Sequence, residues 1–151
     1  MNRLLTAIAD YAVRQPQASA LTSASLSLNY ADLWQRVRAL ADWLRTLPPG
    51  VLALDLDNSV GWVVIDLACQ LAERPLLPLP SYFSTDQRKH ALATAGAFAV
   101  LQAATIDHDS STPTGILNVP GWADLILMPL LSNDDALAAA TRGALSTLPP
   151  D

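Results

Sequence analysis

Leu28-Asn29-Tyr30-Ala31-Asp32-Leu33 and Leu76-Leu77-Pro78-Leu79-Pro80 bracket the stretch that decides the fold of this chain. Between them the sequence reads helix, strand, helix, strand, each with its own start and stop signals. Asn29 supplies an N-cap oxygen, and Asp32, three residues on, completes a weak capping box. From Tyr30 to Leu47, the residues Leu33, Val37, Leu40, Leu44 and Leu47 form one apolar helical stripe, widened by Trp34 and Trp43. Pro48-Pro49-Gly50 stops it. Val51 to Asp57 then alternates, with Leu52, Leu54 and Leu56 on one side and Asp55 and Asp57 on the other, the period of a strand. Asn58 or Ser59 caps a second helix. Val60, Val63, Val64, Leu67, Ala68 and Leu71 mark its inner face, and Trp62 with Ile65 makes it apolar almost all round. Arg74-Pro75 ends that helix, and Leu76 to Leu79 forms a strand. Strand, helix and strand with short joints make a βαβ unit with a right-handed crossover.

Upstream, residues 3–14 carry a helical pattern with Leu4, Ile8 and Tyr11 or Ala12 on one face, ended by Gln15-Pro16. Ser19 to Thr22 and Leu26 to Leu28 read as short strands joined by a turn at Ser23-Ala24-Ser25. Downstream, Ser84 and Gln87 form a capping box for a helix that runs to Ala95 and stops at Gly96. Ala97 to Leu101 is an apolar strand, Thr105 to Gly115 a polar loop, and Leu125 to Met128 a further strand. Asp134 to Arg142 is an alanine-rich helical pattern, and the chain closes on Leu148-Pro149-Pro150-Asp151, a linker composition. The expected class is α/β: a βαβ-based sheet flanked by helices over residues 1–142, with a linker over residues 143–151.

Composition removes several functions. The net charge is −5 and Lys89 is the single lysine, so there is no basic patch for a phosphate backbone. No apolar run reaches the roughly 18 residues of a membrane span, and residues 1–5 lack the apolar core of a signal peptide. A cytoplasmic location is expected. One cysteine, Cys69, excludes an internal disulfide and sits in an apolar helical pattern, as a small buried hydrophobe does. Charged residues make up 15% of the chain, against roughly 25% in common soluble domains. That deficit points to surface that another piece of protein covers, and to self-association of the chain by itself.

The residues that could carry chemistry each have a structural alternative. The six glycines stand singly, so neither a P-loop nor a dinucleotide fingerprint is present. Asp55 and Asp57 lie near the carboxyl end of a strand, where α/β folds place ligands, yet they also suit a solvated face or a helix cap. Asp107-His108-Asp109 resembles a ligand set but falls in a Ser/Thr-rich loop, where adjacent side chains point apart. His90 follows Asp86 by four residues, the spacing of a surface pair. Ser81, Ser84 and Thr85 lack a nearby histidine, and Ser84 is needed as a cap. Trp34, Trp43 and Trp62 suit a core or an interface. No catalytic, cofactor-binding or metal-binding residue is assigned on these grounds.

The order of the pieces resembles the start of the adenylate-forming (AMP-binding) superfamily: acyl-CoA synthetases, aryl-acid ligases, peptide-synthetase adenylation domains and luciferases. Leu28-Asn29-Tyr30-Ala31-Asp32-Leu33 is similar to its Leu-Thr-Tyr-x-Glu-Leu opening. Leu54-Asp55-Leu56-Asp57-Asn58-Ser59 with Trp62-Val63-Val64 resembles its strand, turn and buried helix, and Leu77-Pro78-Leu79 its Val-Pro-Leu segment. Leu92 to Leu101 around Gly96 resembles its helix-glycine-strand block, and Thr147-Leu148-Pro149-Pro150-Asp151 the linker before its nucleotide loop. The chain departs at Ala72-Glu73-Arg74, where the family has Ala-Gly, and at Pro80-Ser81-Tyr82-Phe83, where it often has Asp. The resemblance implies the N-terminal part of an acid–AMP ligase that uses ATP and Mg²⁺ and passes an aryl or fatty acyl group to the phosphopantetheine thiol of CoA or an acyl carrier protein. It also implies that the phosphate loop and the catalytic lid lie beyond this sequence, leaving this chain inactive alone and partnered by the rest of the enzyme. The alternative is a naturally short, non-catalytic binding or dimerisation module on the same scaffold.

Overall fold

A computed structural model describes residues 1–104 and 115–130. The expected helix at Asp134–Arg142, the linker, the boundary at residues 142–143 and the Asp107-His108-Asp109 loop lie outside the described residues. Along the chain come α1 (Arg3–Arg14), β1 (Ser19–Thr22), β2 (Ser27–Asn29), α2 (Tyr30–Thr46), β3 (Val51–Asp55) and α3 (Val60–Leu71). Then follow β4 (Leu76–Pro78), α4 (Thr85–Ala95), β5 (Ala97–Ala103), β6 (Leu117–Val119) and β7 (Trp122–Pro129). The class is α/β as expected. These elements group into two compact units.

The first unit takes Met1–Leu44 and Asp57–Arg74, and holds α1, the β1–β2 hairpin, most of α2, and α3. In α2, Leu33, Val37, Leu40 and Leu44 are buried on one stripe, and Ala41 beside them. Asn29 Oδ1 accepts from Asp32 N at 2.8 Å and starts the helix as its sequence requires. In α3 the cap is Ser59 rather than Asn58, accepting from Trp62 N at 3.1 Å. Seven of its twelve residues are buried. In α1 Ile8 is buried and Ala12 half-buried, as the Ala12 alternative requires, but Leu5 is buried in place of Leu4, and Tyr11 is exposed. Two adjacent leucines satisfy the same period, and Tyr11 instead stacks on Tyr30 with ring centroids 4.9 Å apart. Asn2 caps α1 and donates to Gln70 on α3 at 2.7 Å, tying the first turn down. At the far end of α3, Arg74 N bonds back to Cys69 O at 2.8 Å, and the Arg74 guanidinium donates to Leu44 O of α2 at 2.7 Å. A cation on the last carbonyls of α2 complements its dipole.

The second unit takes Arg45–Leu56 and the described residues from Pro75 onward, and is built on a five-stranded sheet of order β4-β3-β5-β7-β6. β3 runs parallel to β4 and β5, while β5–β7 and β6–β7 are antiparallel. β3 and β4 are thus the parallel neighbours that a strand-helix-strand unit requires. Leu52, Ala53 and Leu54 are all buried, so β3 is apolar on both faces instead of alternating. Interior parallel strands behave in this way, and the alternation read from Leu52, Leu54 and the aspartates is cut short at Asp55. On one face Ala53, Leu79, Ala97 and Val100 form a core cluster that Ala91 and Leu92 of α4 cover. β6 is absent from the sequence reading. Its signal is Pro120-Gly121: Val119 pairs with Trp122 across these two residues, and Gly121 holds φ +81°. Proline then glycine at the two central positions is the chemistry of a tight turn.

Candidate functional site

Each side chain with chemical potential has a place in the structure. Asp55 closes β3 and receives the Arg88 guanidinium of α4 at 2.5 Å, with each side chain about a third exposed (37% and 32%). Arg88 is set there by the first turn of α4, where its N–H donates to Ser84 O at 2.9 Å. The carboxylate thereby ties the end of β3 to α4. Asp57 is exposed. Ser84 is occupied as the cap of α4: its Oγ accepts from Gln87 N at 3.1 Å, and Gln87 Oε1 accepts from Ser84 N at 2.9 Å. His90 meets Thr94 at 3.5 Å instead of Asp86, so it has no acid–base partner among the described residues. Ser81 and Thr85 are exposed. Trp34, Trp43 and Trp62 are each half-buried.

Cys69 is buried, and desolvation in the apolar surroundings of α3 pushes its thiol up to about 12, with Asp66 adding to the rise. A thiol held protonated at neutral pH is no nucleophile. Burial also lowers the Arg74 guanidinium below its ordinary range.

A nucleotide needs several unsatisfied backbone N–H groups, supplied by a glycine-rich loop or an open helix N-terminus. Each of the four described helices carries a side-chain cap on one N–H of its first turn: Asn2 on Leu5 N, Asn29 on Asp32 N, Ser59 on Trp62 N and Ser84 on Gln87 N. Among the described residues no three His, Cys, Asp or Glu side chains converge to hold a metal ion. The described residues thus offer neither a glycine-rich phosphate loop nor a set of carboxylates that would hold Mg²⁺. Among the described residues an open groove of about 570 Å³ lies between α1 and α2, bordered by Val13, Trp34, Gln35, Arg38 and Asp42. Sequence reasoning passed over this groove, because its walls come from two helices and no single motif marks it.

The described fold is similar to part of the N-terminal subdomain of adenylate-forming enzymes. It is similar to the Klebsiella oxytoca NpsA N-terminal subdomain, with a TM-score of 0.59 and 20% identity over 93% of this chain and 34% of that one. The same subdomain in complex with 3-hydroxybenzoyl-AMSN gives 0.59 and 18% over 73% and 29%. Fatty acid AMP ligase from Legionella pneumophila gives 0.57 and 19% over 67% and 19%. The profile of the family described as AMP-binding enzyme matches residues 8–141, and the chain belongs to that family. Pyochelin synthase PchD of Pseudomonas aeruginosa is 38% identical over 101 residues, covering 64% of this chain. The match spans 18% of that protein's length. Use of ATP is general to the family.

Proposed function

We propose that this chain is the N-terminal scaffold, residues 1–142 with a linker at 143–151, of an ATP- and Mg²⁺-dependent carboxylic acid–AMP ligase. The whole enzyme adenylates an aryl or fatty acid with release of pyrophosphate. It then hands the acyl group to a phosphopantetheine thiol of CoA or an acyl carrier protein, the acyl–phosphate bond breaking to release AMP. The family match over residues 8–141 carries this reading. The six single glycines, none of them in a phosphate-cradling loop, support its second half, that the chain alone adenylates nothing. In this reading its first partner is the rest of the enzyme, and its compartment the cytoplasm. The isolated chain self-associates. Low charge supports that, as do Val13 at 81% and Tyr82 at 83% exposure.

The test has two arms. ATP–pyrophosphate exchange is measured on the chain and on a longer protein, with aryl acids first, since the Klebsiella structures carry anthranilyl and 3-hydroxybenzoyl groups, and fatty acids second. Exchange is expected from the longer protein only. Robust exchange by the 151-residue chain overturns the reading. The coding sequence after Asp151 is the other arm: a Ser/Thr/Gly-rich loop and a lysine within about 15 codons is expected. A stop codon there favours the short binding module.

A further inference from the structure

We propose that the outer face of α2 pairs two copies of this chain about a two-fold axis, with the helices antiparallel. The proposal rests on the self-association put forward above and names its surface. The inner stripe of α2 is already buried, so only the outer face is available. On that face Gln35, Arg38, Ala39 and Asp42 are exposed, and Ala12 and Val13 of α1 border the groove beside them. Ala39 has no side chain beyond Cβ, which lets a second helix approach to the close end of the usual 8–10 Å packing range.

The charge pattern selects the occupant. Arg38 and Asp42 lie one helical turn apart, and Arg38 has no ion-pair partner among the described residues. A small anion drawn to Arg38 meets the Asp42 carboxylate on the same wall, and a cation drawn to Asp42 meets Arg38. A second copy offers both signs in the right order. A dyad between the two positions exchanges them, setting Arg38 of each copy opposite Asp42 of the other. Parallel pairing would oppose like charges. Asp42 also interacts within its own chain, but two carboxylate oxygens accept up to about four hydrogen bonds, leaving room for a second donor. Val13 adds apolar area at the rim.

Sedimentation velocity over a concentration series reads the outcome. The unaltered chain is expected to dimerise reversibly. R38D and D42R each juxtapose like charges and are expected to raise the dimer Kd roughly tenfold or more. R38D/D42R together restore opposite pairs across the dyad and return the Kd to near its starting value. A39C adds a second measurement: mild oxidation gives a disulfide-linked dimer, while A24C on the hairpin turn gives none. Cys69 does not compete because it is buried. A chain that stays monomeric throughout overturns both the interface and the self-association. A dimer that ignores both single swaps, or that the double swap fails to rescue, keeps the self-association and overturns this interface. Neither result bears on the exchange assay, so the ligase reading stands or falls separately.

Discussion

α3 and α4 are helices of nearly equal length, twelve and eleven residues, that are held in opposite ways. Both begin at a serine cap. α3 buries seven residues, among them Val64 and Ile65 at 0% exposure, whereas α4 buries none and meets the sheet through half-buried Ala91 and Leu92 and the Arg88–Asp55 pair. α4 compensates with local chemistry: a complete capping box at Ser84–Gln87 and a left-handed Gly96 at its end. α3 ends the other way, with Glu73 in the left-handed region at φ +55°, where a β-carbon is strained. Burial holds α3 despite a poor terminus, and good termini hold α4 despite little burial. A helix needs one of these supports to be strong, and this chain uses each in turn.

Breaking the support of α3 gives the largest effect. Ile65→Ala leaves a cavity in a fully buried site and is expected to cost about 2–5 kcal/mol, read as a fall in the denaturation midpoint. A loss under 1 kcal/mol would place α3 among helices held by caps. The same burial makes stability depend on pH through Cys69. Its thiol is raised from 9.0 to about 12 in the folded chain, so ionisation favours the unfolded state. The contribution is fully present below the unfolded value and is lost as pH rises from 9 towards 12. Cys69→Ser should flatten that part of the stability profile. An unchanged alkaline slope would show that Cys69 is not its cause.

For α4, Ser84→Ala is expected to cost about 1 kcal/mol by freeing Gln87 N–H. Hydrogen exchange should speed up in the first turn of α4 while β3 stays protected. Equal loss of protection in both would mean that α4 is no local unit. The smallest effect sharpens the contrast between termini. Glu73→Gly gives α3 the residue that Gly96 gives α4, and relief of strain is expected to gain a few tenths of a kcal/mol, up to about 1. A lowered midpoint would mean that the Glu73 side chain contributes more than its backbone strain costs.

Much of the fold is legible in short segments. The α2 stripe, the caps at Asn29, Ser59 and Ser84, and the stop at Gly96 each depend on residues within a turn of one another. The family is legible too, but only from the order of five weak motifs. The errors have one cause. In α1 the sequence permits Leu4 or Leu5 to face inward, and Asn2 reaching Gln70, 68 residues away, ties the helix with Leu5 inside. β3 reads as half-exposed because what packs on its faces comes from elsewhere in the chain, as Ala91 and Leu92 of α4 do on the Ala53 cluster. Asp55 reads as a free carboxylate because Arg88 is 33 residues away. The α1–α2 groove is invisible for the same reason.

By itself, then, the sequence determined where helices and strands start and stop, that the class is α/β, and which family the motif order resembles. These depend on backbone sterics, capping and side-chain period, all of which act within a few residues. The tertiary structure decided which of two adjacent leucines is buried, that β3 is covered on both faces, and that Asp55 pairs with Arg88. Burial and charge pairing are set by neighbours far away in sequence, and only the folded chain brings those neighbours together.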